Sequence, residues 1–436
     1  YRRYLGRIGA LAAGILLSAS PSLLFHSRYI RNDIYIALFV MVWSYGAFRY
    51  LEAKPGEGRR WVAVMLLGMA PAFVTKENAF MAGALIGAFF AGLAIWRVIG
   101  PRFFVAVAPL LFAAGAAFWL FESGQITYSL VVAGIGAIAS LALLVMWLRD
   151  EAWGKLRSSR AADLAVLMLT LIMPFTAPFG HAALGWDPMA YATNTDLLRS
   201  AGLVLFVTLA GVVVAYYWFG MRSQERMPDG LTWREWLGAM GAFWLTAVLF
   251  FTTFFTNTRN GLATGVVGSL GYWLAQQEVA RGGQPWYYYF MLSALYEFLP
   301  MLLAVGGTIV ILRRAGVDGH WDPVSTKDLP VNVAGEAPGD DARVELLRVN
   351  RATFVVYGVW WIVGSWMAYT IAGEKMPWLL THMALPMGVV GGWWFGRLIN
   401  QIDCPAVRRA GATWLIALTP ALLYLVFTLL RMAPFQ

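Results

Sequence analysis

This sequence predicts an all-helical, polytopic membrane protein with about 13 transmembrane helices, and two observations carry that reading. Of its 436 residues, 59% are apolar and only 13% charged, against about 25% charged in an ordinary soluble domain. The charges are also spaced so that windows such as 8–27, 103–121, 123–148, 200–221, 236–258 and 376–396 hold no Asp, Glu, Lys or Arg. Each is near or above the roughly 18–20 residues that cross a bilayer as a helix. Soluble enzymes, nucleic-acid-binding domains and disulfide-stapled secreted modules are excluded by composition. An outer-membrane barrel is excluded because its strands would alternate apolar and polar residues. The single cysteine, Cys404, cannot form an internal disulfide.

In order along the chain, spans are expected at 8–26, 34–51, 61–75, 79–96, 103–121, 128–147, 164–179, 200–219, 237–256, 290–312, 352–371, 377–395 and 411–430. With the N-terminus in the cytoplasm, 25 of the 33 Lys and Arg fall in inner loops and 8 in outer ones. The acids balance the outer basic residues, so the net charge of +9 sits on the inner face. That is the positive-inside pattern of a multi-pass protein, here of the cell (plasma) membrane. The basic excess therefore reports orientation and not a nucleic-acid partner.

Residues 260–277 are charge-free but hold four glycines. Treating them as a span would put the basic stretch 313–351 outside, so they read as a surface-lying or re-entrant helix within an external loop, 257–289. The stretch 313–351 has the composition of a cytoplasmic linker. The whole of 1–436 thus reads as one transmembrane domain. It starts at Tyr1 in a basic segment that runs straight into a helix, which suggests that further helices lie upstream.

This topology gathers polar residues on the outer face. They are Arg28, Arg31 and Asp33 between the first two helices, Lys76 and Glu77 between the next pair, and Arg259, Trp286 and Tyr288 in the long loop. Tyr296 and Glu297 follow inside the tenth helix, then Glu374, Lys375, Trp378 and His382. Single members have bland readings. The cations could snorkel, Trp286 and its tyrosines could form an aromatic belt, and Glu77 and Glu374 could pair locally with the lysines beside them. Glu297 stands out, because a carboxylate inside an apolar helix needs a partner or a water-filled cavity. As a set, arginine forks and a lysine suit a phosphate headgroup. The carboxylates could hold a divalent metal, Asp33 among them, or act as a general base. No Walker loop, Gly-x-Ser-x-Gly or His-Glu-x-x-His motif competes.

The segment SRYIRND entering a helix, followed by TKEN, resembles the Arg/Asp and Lys motifs of the GT-C superfamily of polytopic glycosyltransferases, in its protein O-mannosyltransferase-like branch. TTFFTN, GYWLAQQEVARGGQPWYYY, YEF and AGEKMPWLLTH look like a prokaryotic subgroup labelled flippase-activity-associated protein. The resemblance implies transfer of a sugar from a polyprenyl-phosphate donor to a lipid, polysaccharide or protein acceptor on the outer side. It assigns Arg28, Arg31 and Asp33 to the donor phosphate or a metal, Lys76 to phosphate neutralisation, and Glu297, Glu374, Lys375 and His382 to the cavity. It also places the principal base in an external loop upstream of Tyr1. The alternative is a lipid-linked sugar flippase or a non-catalytic accessory to one. Flipping would call for polar residues along a path through the bilayer, whereas these helix centres are clean.

Overall fold

The computed structural model describes all residues except 30, 55, 124, 150, 222–229, 280–282, 316–340, 412–413 and 432–436. Among the described residues 85% are helical and none lies in a strand. The helices are α1 (Arg2–Ala19), α2 (Pro21–Arg28), α3 (Asp33–Leu51), α4 (Gly58–Thr75), α5 (Asn78–Ile99), α6 (Arg102–Glu122), α7 (Ile126–Trp147), α8 (Glu151–Arg157), α9 (Arg160–Ile172) and α10 (Ala177–Ala183). They continue as α11 (Asn194–Ala215), α12 (Trp233–Phe251), α13 (Thr258–Leu262), α14 (Ser269–Val279), α15 (Tyr288–Tyr296), α16 (Phe298–Ala315), α17 (Asp341–Ile371), α18 (Thr381–Asn400), α19 (Cys404–Arg409) and α20 (Trp414–Arg431).

Five helices among the described residues are long and apolar enough to cross a membrane, or up to eight if each bent pair is one span. This supports a multi-pass membrane protein, but the expected count of about 13 is not reproduced. One reason is visible in α18, whose residues from Thr381 to Trp393 are buried by other helices. A helix surrounded by protein can carry glycine, threonine and histidine, which lowers its hydropathy below that of a lipid-facing span. Bends are the second reason. The expected helix 8–26 is two pieces, α1 and α2, meeting at 54° where Ser20 precedes Pro21. The expected helix 290–312 is also broken, with 106° between α15 and α16. Pro300 lies in the first turn of α16 and cannot donate to the carbonyl of Tyr296, so the chain starts a new helix there.

Close helix crossings set the frame. A Cβ on Gly392 would lie 2.4 Å from Ala13 Cα, and one on Gly396 would lie 2.4 Å from the backbone nitrogen of Gly9. Helices α1 and α18 therefore touch backbone to backbone, as small residues allow between membrane helices. Between α3 and α4, Gly46 and Gly68 play the same part against Met65 and Trp43. The segment expected as a re-entrant helix is helical from Thr258 to Val279, with a π-helical stretch at Ala263–Gly268. Of the expected linker 313–351, α16 takes the start and α17 the end, and 316–340 lie outside the described residues.

Candidate functional site

The start of α3 meets the α4–α5 junction and the start of α18 at one end of the bundle. Asp33, the first residue of α3, has no exposed surface. Its Oδ2 accepts from the Lys76 ammonium at 2.6 Å, and its Oδ1 accepts from Asn78 Nδ2 at 2.8 Å. His382 Nε2 lies 3.0 Å from the same Oδ1. Facing a carboxylate oxygen and a donor amide, that ring nitrogen carries a proton and donates to Asp33. The imidazole is stacked on Tyr369, with ring centroids 5.3 Å apart and planes 13° from parallel. Tyr369 in turn meets Tyr289 edge-on at 6.5 Å. The Tyr289 hydroxyl accepts from the Met376 N–H at 3.0 Å and donates to the Met376 carbonyl at 3.3 Å. A buried core thus ties α3, α5, α15, α17 and the 373–378 loop together.

In front of this core lies a cavity of about 270 Å³ lined by Arg31, Lys76, Glu77, Asn78, Tyr272, Trp273, Gln276, Glu374, Trp378 and Leu379. The Arg31 guanidinium sits 3.8 Å above the Trp378 ring, a cation–π contact. Lys76 reaches the cavity from its ion pair with Asp33, its side chain 20% exposed. A larger apolar groove, about 920 Å³, runs beside α1, α2 and α3 and includes Leu23, Ser27, Ile34, Tyr35, Leu38 and Met41.

Of the residues singled out from sequence, Arg31, Lys76, Glu77, Glu374 and Trp378 line the cavity, and Asp33 and His382 stand behind its wall. The others lie elsewhere. Arg28 and Trp286 are exposed away from it. Arg259 donates to Asn194 Oδ1 at 2.8 Å, and Lys375 Nζ donates to the Ala372 carbonyl at 3.2 Å. Tyr288 is buried against Tyr289, and Tyr296 is half exposed. Glu297 sits at the bend between α15 and α16, where its Oε1 accepts from the Ser20 hydroxyl at 2.5 Å and the Ser22 N–H at 3.0 Å. It caps the N-terminus of α2 and does not line the cavity.

Asn78, Tyr272, Trp273 and Tyr289 fall within the motifs TKEN, GYWLAQQ and QPWYYY without being singled out as site residues, and Tyr369 falls in no motif. Asn78 follows directly on Lys76-Glu77, so its position was a signal. Tyr369 is one aromatic in a long apolar run, and nothing in the sequence marks it.

Among the described residues no three His, Cys, Asp or Glu side chains gather closely enough to hold a metal ion. Asp33, the candidate ligand, has both oxygens engaged by nitrogen donors. After α12, Thr253, Phe254 and Phe255 all have positive φ, at 49°, 54° and 66°. Three such non-glycine residues in a row hold a turn that costs about 1–2 kcal/mol per residue, and it leads straight into the helix that carries Tyr272, Trp273 and Gln276. Comparisons with family models, with curated proteins and with solved structures return no match.

Proposed function

We propose that this chain is a membrane glycosyltransferase of the plasma membrane. It moves a sugar from a polyprenyl-phosphate donor to an acceptor hydroxyl on the extracytoplasmic side. One observation carries the reading. The single segment 27–35 gives Arg31 to the polar cavity and Ser27, Ile34 and Tyr35 to the apolar groove. A ligand with an anionic head and a long apolar tail suits that division, and a lipid phosphate is such a ligand. At about 270 Å³ the cavity is just below the roughly 300–1,000 Å³ range of small-molecule sites, which fits a headgroup and not the whole lipid.

In this reading Arg31 offers a fork to the donor phosphate, and Lys76 adds a point charge held in place by Asp33. The acceptor oxygen attacks the anomeric carbon, and the bond from that carbon to the phosphate oxygen breaks with inversion. Polyprenyl phosphate leaves, its new charge facing Arg31 and Lys76. The acceptor hydroxyl proton passes to a carboxylate, and Glu374, which lines the cavity, is the candidate among the described residues.

The test is made on the full-length protein in liposomes given a radiolabelled polyprenyl-phosphate hexose, with and without a chelator. Release of polyprenyl phosphate is expected, reduced by at least about tenfold in Arg31→Ala, since a charge-assisted contact contributes about 1.5–3 kcal/mol. If the labelled lipid changes leaflet and is never consumed, the protein is a flippase and the transferase reading fails.

A further inference from the structure

The cavity lining is not simply basic. Lys76 is paired with Asp33 and shows only part of its side chain to the cavity, while Arg31 has no carboxylate partner among the described residues. Against it stand three acceptors. Glu77 and Glu374 line the same cavity, and neither side chain makes a hydrogen bond or ion pair with a described residue. Gln276 Oε1 is buried and has no hydrogen-bond partner among the described residues. The cavity holds donors too, on Arg31, Lys76 and Asn78, but these three acceptors are paired with none of them, which leaves them open to a ligand that brings donors of its own.

We infer that this cavity selects a neutral or aminated sugar headgroup and rejects an acidic one, with Glu77, Glu374 and Gln276 as the residues that set this preference. The inference rests on the lipid-phosphate reading above and adds the class of sugar. Sugar hydroxyls, or an amine, donate to the two carboxylates and to Gln276 Oε1. Tyr272 and Trp273, on the same helical segment as Gln276, supply aromatic surface suited to the C–H face of a ring. A uronic acid would instead set its carboxylate beside Glu77 and Glu374. Like charges in a confined, partly desolvated space are strongly unfavourable, so selectivity here comes from repulsion as well as attraction.

The probes are short-chain prenyl phosphate alone and its hexose, amino-hexose and hexuronic acid conjugates. Each is titrated against the full-length protein in nanodiscs at fixed ionic strength. The hexose and amino-hexose are expected to bind tighter than prenyl phosphate alone, and the hexuronic acid at least about tenfold weaker than the hexose. In Glu374→Gln the hexuronic-to-hexose ratio of Kd should fall to about threefold or less, and Gln276→Leu should weaken the hexose while leaving prenyl phosphate unchanged. Thermal melting of each variant separates a changed preference from a failure to fold. Equal binding of all three conjugates, or tighter binding of the hexuronic acid, overturns the inference and leaves the lipid-phosphate reading standing. Absence of binding by every probe, prenyl phosphate included, brings down both.

Discussion

Asp33 and Glu297 are both carboxylates with no exposed surface, and the sequence presents them alike, as acids at or within apolar helices. Their neighbours separate them. Asp33 takes hydrogen bonds from a lysine, an amide and an imidazole, and two of these donors, Lys76 and Asn78, also line a cavity. Glu297 takes its bonds from a serine hydroxyl and a backbone N–H, and together these pin one helix bend to another. A buried carboxylate becomes part of a binding site through partners that reach a ligand. Without them, the same burial makes a staple.

Breaking the staple should give the largest change in stability. Glu297→Ala strands the Ser22 N–H and the Ser20 hydroxyl and leaves a void, at about 2–4 kcal/mol. Denaturant titration in detergent should show that loss, while affinity for prenyl phosphate per folded molecule stays within about twofold. A large fall in affinity would erase the distinction between the two carboxylates.

Asp33→Asn comes next. Breaking a buried ion pair costs about 3–5 kcal/mol, but the Lys76 side chain is 20% exposed to the cavity. Solvent there reduces the expected loss to about 1–3 kcal/mol. Unlike Glu297→Ala, this variant should also lose prenyl-phosphate affinity, by about tenfold, because Lys76 is no longer held at the wall. Unchanged affinity would mean that Asp33 is a staple as well.

His382 can be divided into its two contacts. His382→Gln keeps a donor for Asp33 and loses the stack on Tyr369, whereas His382→Phe keeps the stack and loses the bond. Each is expected to cost about 0.5–1.5 kcal/mol. Only the phenylalanine should reduce prenyl-phosphate affinity, since it alone unties Asp33. A larger loss of affinity in the glutamine variant would point to ring packing as what matters.

How much of this could be read from residues alone follows the same line. Charge-free windows disclose membrane helices because each buried charge is costly. The alternation of loops brought Arg31, Lys76, Glu77, Glu374 and Trp378 to one end, and the structure does place them around one cavity. Glu297 was placed two turns inside a helix because 290–312 reads as one apolar stretch. Pro300 was the available sign of a break, and it moves the residue from helix interior to helix bend. The count of about 13 is not confirmed. Among the described residues five helices, or up to eight with each bent pair taken as one span, are long and apolar enough to cross a membrane, and bends divide stretches that read as single spans. The Tyr289–Tyr369–His382 stack joins residues from three separate segments, and no spacing rule reaches across such distances.

The smallest expected effect concerns that stack. Tyr289→Phe keeps the ring against Tyr369 and removes only the hydroxyl that meets the Met376 N–H and carbonyl. Stability should fall by about 0.5–1.5 kcal/mol. The informative reading is on selectivity. Met376 lies between Glu374 and Trp378, both at the cavity, so freeing it loosens a carboxylate proposed to repel acidic sugars and the ring under Arg31. The hexuronic-to-hexose ratio of Kd should shrink by about two- to threefold with prenyl-phosphate affinity less changed, since Lys76 remains anchored by Asp33. Tyr289 would then belong with Asp33, a residue that touches no ligand and acts through those that do. Loss of stability with an unchanged ratio would place it with Glu297.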